Sequence, residues 1–452
     1  MPKPPFRKVL IANRGEVAVR ILRACHELGI RTAVVYSTAD ADALHVKLAD
    51  ESICIGPAKA SESYLNVSAI ISAAAATGAE AIHPGYGFLS ENASFAEICS
   101  QCGIIFIGPT VRNMRLMGDK SRARRVAIKN DVPVIPGSEE AGVNTREALL
   151  EAEKIGFPVL IKASAGGGGR GMKIVRDPAD FVAAFNQATR EVAAAFNDPR
   201  IYVEKYLEKA RHVEIQILGD QFQNTLHMGE RDCSIQRRYQ KLVEESPAIG
   251  LRKETRERLY DAAIHLARAI SYASLGTIEF LVDTVTQEFY FIEMNTRLQV
   301  EHPVTEMITL VDLVKEQIWV AAGKELAISQ NSVKMVGHAI EARINAEDPV
   351  TQMASPGQIV GFHMPGGPGI RVDSALYDRY TVPPYYDSLI AKIIARGQTR
   401  AEAIRKLSVA LDECIIGGIK TNLDLHRKVL AHPDFLSGNV HTKLLEEINI
   451  QR

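Results

Sequence analysis

Between Lys8 and Ile107, short apolar runs alternate with segments of helical periodicity, and this pattern constrains the fold more than any other feature. Lys8–Ala12 reads as a strand, Glu16–Leu28 as a helix stopped by Gly29, and Arg31–Tyr36 as a second strand. Further strand-like runs at Ser52–Ile55, Glu80–Ile82 and Ile104–Ile107 are separated by helical segments at Tyr64–Ala76 and Asn92–Cys102. Strands that regularly take a helix between them need crossover connections, so a doubly wound parallel sheet is expected. Gly108-Pro109 breaks the pattern and places a boundary near residue 115.

The central region, from Lys120 onward, is mixed. Helical patterns at Lys120–Asn130, Thr145–Ile155 and Ala179–Phe196 flank strand-like runs at Phe157–Ala163, Met172–Val175 and Ile201–Lys205. From Arg211 strands dominate, with runs at Val213–Leu218 and Phe222–Met228 and a hairpin over Thr277–Asn295. Strands at His338–Asn345 and Ser388–Ala395 and a helix after Thr399 give a closing α+β region. The expected units are 1–115, 116–334 with a lid at about 134–205, and 335–452. A length of 452 residues suits roughly three units at about 150 residues each.

Charge narrows the partners. With 53 Lys+Arg against 54 Asp+Glu, there is no overall basic field for nucleic acid or an anionic membrane. Val9–Ala12 is too short for a signal segment and no run reaches spanning length, so a cytoplasmic protein is expected. The 6 cysteines are scattered and do not form a disulfide framework. Cys99 and Cys102 have C-x-x-C spacing without two further ligands nearby and read as small helical residues.

Gly166–Gly169 and Gly171 come directly after the strand that contains Lys162. Glycines let backbone N–H groups approach phosphate oxygens. Gly166-x-Gly168-x-x-Gly171 also fits a dinucleotide fingerprint, but that motif needs a helix where Met172–Val175 reads as a strand. A flap over phosphates is the better reading.

The most informative stretch for chemistry is Glu288–Pro303. In an extended chain Glu293, Asn295, Arg297, Gln299 and Glu301 share a face, with Ile292, Met294, Leu298 and Val300 opposite. Pairing Thr277–Val282 with Phe289–Asn295 sets Glu279 opposite Glu293. Two facing carboxylates need a cation or a proton. Magnesium, bound through oxygen ligands and shared with phosphates, suits Glu279, Glu293 and Asn295 better beside a phosphate flap. Arg297 offers a planar fork for a small oxyanion, and Glu301 a base. The set points to an ATP-dependent ligase or carboxylase.

Longer motifs then carry a resemblance: Ile11–Glu16, His83–Asn92, Met117–Lys120, Glu204–Leu207, Arg237–Lys241, Glu293–Glu306, Arg343–Asp348 and Tyr380–Asp387. Together they resemble the biotin carboxylases of the ATP-grasp superfamily over essentially the whole chain. The resemblance implies that ATP and bicarbonate form carboxyphosphate, whose CO₂ passes to biotin. It implies that Lys120, Lys162, Gly168 and Gly169 hold ATP phosphates. Glu204, Lys205, Tyr206 and Leu207 line the adenine pocket, and His212 contacts the nucleotide. Glu279, Glu293 and Asn295 ligate magnesium or manganese, with Glu279 and Glu293 also counted in the ATP site. Lys241, Arg297, Gln299 and Val300 hold bicarbonate, Glu301 deprotonates it, and Arg343 stabilises the biotin oxygen. Biotin is expected on a separate carboxyl carrier protein, with carboxyltransferase subunits as further partners and a homodimer as the assembly. Ala165 and Tyr239 depart from the family, which often has Gly and His there. Cys233 reads as structural. A carbamoyl-phosphate-forming ligase, a dinucleotide-binding oxidoreductase and a catalytically dead regulatory subunit are the competing readings.

Overall fold

The structure is a computed structural model and describes residues 4–138, 144–163, 172–196 and 201–447. Strands β1 (Lys8–Ile11), β2 (Arg31–Tyr36), β3 (Glu51–Cys54), β4 (Ala81–His83) and β5 (Ile105–Phe106) form a parallel sheet in the order β3-β2-β1-β4-β5. Strand periodicity explains its two covers. Val9 and Ile11 pack with Val17, Ala18 and Ile21 of helix α1 (Gly15–Glu27). Leu10, Ala33 and Val35 point the other way, onto Ile70, Ala73 and Ala74 of the helix Val67–Thr77. The sheet is doubly wound, as the alternation predicts.

A small antiparallel sheet in the order β7-β6-β8 comes next, from β6 (Val159–Ala163), β7 (Lys173–Val175) and β8 (Ile201–Lys205). The helices Thr145–Ile155 and Phe181–Phe196 back it through Ala148, Ala152, Phe181, Phe185 and Ala188. β6 pairs directly with β7, so the glycine run joins two antiparallel strands and no helix comes after it. That arrangement removes the dinucleotide fingerprint reading. Ala165 and Gly166–Gly171, with Gly168 and Gly169, lie outside the described residues.

The main body is an eight-stranded sheet. It contains β9 (Ala210–Gly219), β10 (Thr225–Arg237), β11 (Gln240–Ser246), β12 (Ser274–Asp283), β13 (Phe289–Asn295), β14 (His338–Asn345), β15 (Ile370–Ser374) and β16 (Leu389–Gly397). The order is β13-β12-β9-β10-β11-β14-β16-β15, so strands from both sides of residue 335 share one sheet. Every residue of β9 is buried. β10 runs well past the expected Met228, because Glu230, Arg231, Asp232 and Ser234 are buried within the sheet. A charged run reads as the end of a strand only when its charges face water. Here Arg231 donates to Glu214, Gln216, Thr277 and Thr305 instead.

Candidate active site

The hairpin register is the predicted one: Glu279 stands opposite Glu293, and Thr277 opposite Asn295. The strand does not continue to Glu301, however. β13 ends at Asn295, and residues 296–301 are an irregular segment leading into helix α2 (His302–Thr309). Glu91 ends the ladder: its carboxylate accepts from Thr296 N at 3.0 Å and from Arg297 Nε at 2.9 Å. The expected facing is therefore partly corrected. Glu293, Asn295, Arg297 and Gln299 line the large cavity, but so do Ile292 and Val300. Leu298 is buried against the N-terminal core.

That cavity, of about 1000 Å³, is lined by residues from the N-terminal, central and C-terminal parts of the chain. Asn13 builds one wall, its Nδ2 donating to Pro84 O at 2.6 Å and Tyr86 O at 2.8 Å. A side chain at Gly85, whose φ is +64°, would meet Asn13 at 2.9 Å, so only glycine allows this contact. Lys120, Lys162, Glu204, Lys205, Tyr206 and Leu207 line the opposite end. There Lys162 Nζ donates to Glu204 at 2.9 Å, and Lys205 Nζ donates to the carbonyls of Gly156 and Phe157. Burial pulls the Lys162 pKa down, but the Glu204 carboxylate and Tyr202 outweigh it, so the ammonium is held charged. Lys443 lies over the Tyr206 ring at 4.3 Å, bringing the C-terminal region to the same end.

A knot of charge forms the floor. Lys241 Nζ donates to Glu214 at 2.5 Å, Glu301 at 2.7 Å and Glu279 at 2.8 Å. Arg343 Nη2 donates to Glu301 at 2.8 Å and its guanidinium also reaches Glu244. Glu301 is 0% exposed. Burial alone would raise its pKa, but Lys241, Arg343 and Arg231 hold it well below the carboxylate range. Glu279 is treated alike: burial raises it, while Lys241 and His212 more than offset this and keep it ionised. His212 Nε2 lies 2.9 Å from Glu279, and Gln236 donates to its Nδ1 at 2.7 Å. Cys233, beside this knot, is fully buried, and burial pushes its thiol far up, which fits a structural residue. Cys99 is buried and Cys102 exposed, and both are free thiols.

The residues fit a hard cation. Glu279, Glu293 and Asn295 supply oxygens, the donor type that magnesium selects. Lys120 Nζ lies 2.9 Å from Glu293, and Asn295 Nδ2 donates to Glu279 at 2.8 Å. Two facing carboxylates are thus balanced here by lysines. Gln299 is 4% exposed and its Nε2 has no hydrogen-bond partner among the described residues, while its Oε1 accepts from Arg297. Tyr239 is 63% exposed at the cavity rim, with φ +63°.

Sequence reasoning assigns no role to several residues found here. Glu91 lies inside the His83–Asn92 motif, but its partner Arg297 is 206 positions away. Glu214, Arg231 and Glu244 escape it because isolated charges in strands give no local signal of burial. Replacing Glu91 by Gln should weaken the placement of Arg297 and raise the KM for the small oxyanion roughly tenfold, at unchanged KM for nucleotide. Steady-state kinetics with each substrate varied in turn checks this.

Comparisons with known proteins agree with this arrangement. Residues 5–114 match the biotin carboxylase N-terminal domain model, and 341–447 the biotin carboxylase C-terminal domain model. Residues 119–329 match the ATP-binding domain model of the carbamoyl-phosphate synthase L chain. The middle match alone would leave the carbamoyl-phosphate reading open, but the two flanking matches decide against it. Biotin carboxylase 1 of Bacillus subtilis is 54% identical over 98% of this chain and 99% of its own. A biotin carboxylase of Nostoc is 55% identical over 98% of this chain and 99% of its own. Among solved structures, the Campylobacter jejuni biotin carboxylase–β,γ-ATP complex superposes with a TM-score of 0.94, at 52% identity over 98% of this chain and 99% of that one. The biotin carboxylase domain dimer of Hydrogenobacter thermophilus 2-oxoglutarate carboxylase, with MgADP, ADP and bicarbonate, gives 0.92 at 47% identity over 99% of both chains. With its cavity, its charge knot and full-length matches at more than half identity, the chain belongs to the biotin carboxylase family.

Proposed function

We propose that the charge knot around Lys241 and Glu301 is where bicarbonate is activated during the ATP-dependent carboxylation of biotin, the first half-reaction of a biotin-dependent carboxylase. The observation that carries this reading is Glu301: a fully buried carboxylate held ionised by two cations that substrate anions can draw away. In the ligand-free protein those cations make it a weak base. Each bound anion that takes a share of Lys241 or Arg343 lets the Glu301 pKa rise toward that of bicarbonate. The free Gln299 amide and the Arg297 fork, with Val300 beside them, are suited to the bicarbonate oxygens.

Lys120 and Lys162 hold the ATP phosphates in this reading, and Gly168 and Gly169, outside the described residues, are assigned to the same phosphates. Glu204 to Leu207 flank the base, and His212 sits at the sugar-phosphate end. Glu279, Glu293 and Asn295 would hold magnesium, or manganese with the same oxygen set. When bound, the metal neutralises phosphate charge and aligns the transferring group. Arg343 then moves to the developing oxyanion of biotin. In this reading the chain divides at about 115 and 335, and the cavity takes lining residues from all three units, Asn13, Lys162 and Arg343 among them. Biotin reaches the cavity on a carrier protein, with carboxyltransferase subunits downstream and a homodimer as the working form. In this reading the parent enzyme is a biotin-dependent carboxylase such as acetyl-CoA carboxylase, which serves fatty acid synthesis. Among the described residues no helix is long and apolar enough to cross a membrane, and we place the enzyme in the cytoplasm.

The test is ADP release by the purified chain with ATP, magnesium and bicarbonate. It should depend on bicarbonate and be stimulated by free biotin; absence of both effects would refute the assignment. Arg343→Ala should lower biotin carboxylation at least about tenfold more than biotin-free ATP cleavage. Equal losses in the two assays would remove Arg343 from the biotin step.

A further inference from the structure

Behind Arg343 lies a pair of carboxyl groups to which the carboxylation chemistry gives no part. Glu341 of β14 is 0% exposed, and neither of its side-chain oxygens has a hydrogen-bond partner among the described residues. Glu244 of β11 is also 0% exposed. Its Oε1 accepts from Arg343, while its Oε2 has no partner among the described residues. The two residues are register partners in the antiparallel ladder between β11 and β14. Register partners present their side chains on one face, with Cβ atoms about 5 Å apart.

The surroundings leave little to compensate two negative charges. Val304 and Ile308 of α2 cover this face together with Ile394 and Ala339. The charged groups facing the pair are Arg343 and Lys392, themselves register partners, with Glu301 and Lys241 beyond Arg343. Lys392 Nζ is already engaged, donating to Val300 O at 2.9 Å and lying 3.2 Å from Glu16. Arg343 is divided between Glu244 and Glu301. An ionised carboxylate at position 341, buried and without a partner, would be strongly unfavourable. A single O–H donated from Glu341 to Glu244 Oε2 would satisfy partnerless oxygens on both residues.

We propose that Glu244 and Glu341 share one proton, and that this pair is a positioning device which sets how firmly Arg343 is held back from biotin. Glu341 carries the proton and Glu244 the single charge on which the guanidinium rests. With one charge behind it, Arg343 can move forward to a biotin oxygen. With two, it is pinned against β11, and the biotin step slows while bicarbonate activation by Glu301 continues. Burial supports this by pushing Glu244 up to about 7, with Arg343 pulling it down and Glu301 raising it. It pushes Glu341 well above the carboxylate range, with Lys392 opposing. The inference rests on the reading of Arg343 as the biotin-facing group.

Two measurements test it. In the ligand-free enzyme, the infrared spectrum should contain the C=O band of a protonated carboxylic acid that shifts in D₂O and is missing in Glu341→Gln. If the difference spectrum instead loses an ionised carboxylate, the shared proton is refuted. Should Glu341→Gln fail to fold, Glu244→Gln serves instead: Glu341 remains neutral there and its band persists, whereas loss of the band overturns the proposal. The second measurement is the ratio of biotin carboxylation to biotin-free ATP cleavage from pH 7 to 9. It should fall at least about threefold in the parent enzyme and stay flat in Glu341→Gln. A band that is present together with parallel pH profiles would leave the proton in place and overturn its action on Arg343. The infrared result needs no substrate, so it stands or falls separately from the biotin reading.

Discussion

Glu301→Gln should abolish bicarbonate-dependent ATP cleavage while ATP still binds. The amide keeps the shape of the side chain but cannot accept a proton, and general-base catalysis of this kind contributes about 10²–10⁴-fold. A loss of roughly 10³-fold in turnover is expected, with the KM for ATP within about threefold of the parent. The fold should tolerate the change, because Lys241 keeps Glu214 and Glu279 and Arg343 keeps Glu244. Steady-state kinetics together with nucleotide titration separates the outcomes. A proportional loss of ATP affinity would make Glu301 a structural residue, and residual turnover above a tenth of the parent would place the base elsewhere.

The largest stability effect should come from Lys241→Met. Its ammonium is the shared partner of Glu214, Glu279 and Glu301, all 5% exposed or less. Removing one partner of a buried charge set typically costs about 3–5 kcal/mol, because the remaining charges are left uncompensated. The pH dependence should also change sign. In the parent, Glu279 and Glu301 have folded-state pKa values depressed by Lys241 against the effect of burial. Their contribution is therefore present above the ordinary carboxylate range and is lost as pH falls through the depressed values. Without Lys241, Glu301 still has Arg343 and Arg231, but Glu279 keeps only His212 and Glu214 only Arg231, so burial prevails at these two and raises their pKa values. The variant should then bind more protons folded than unfolded and lose stability as pH rises from about 5 to 8. Urea denaturation at both ends of that range reads this directly. A variant that is most stable at the alkaline end would show that Lys241 is not the group holding these carboxylates ionised.

Much of the site was legible because it is local. Counting along the hairpin was enough to set Glu279 against Glu293, since the register is dictated by turn position and the two-residue pleat. The same counting failed beyond Asn295. Glu91, from another unit, takes the Thr296 N–H that a continuing strand would have needed. The strands on either side of the glycine run were legible, because helical periodicity is absent from Met172–Val175. The floor was not. Glu214 and Arg231 meet across neighbouring strands, and Glu244 meets Arg343 across a ladder that joins the central and C-terminal regions. Such pairs are set by sheet order, and periodicity says nothing about order. The same blindness shortened β10, whose buried charges resemble a solvated strand end until their partners are placed.

The shared eight-stranded sheet has a mechanical consequence. The residues that hold Glu301 come from β11 and β14, adjacent strands joined from Val243↔Ala342 to Ser246↔Ala339. Among the described residues, the three-stranded sheet carrying Lys162 and Glu204 has no ladder to them. A displacement of the small sheet would therefore break no rung of the large one among the described residues. Acid–base geometry and the nucleotide end are therefore built on separate sheets: the first is welded into a continuous ladder, and the second is hydrogen-bonded within its own three strands.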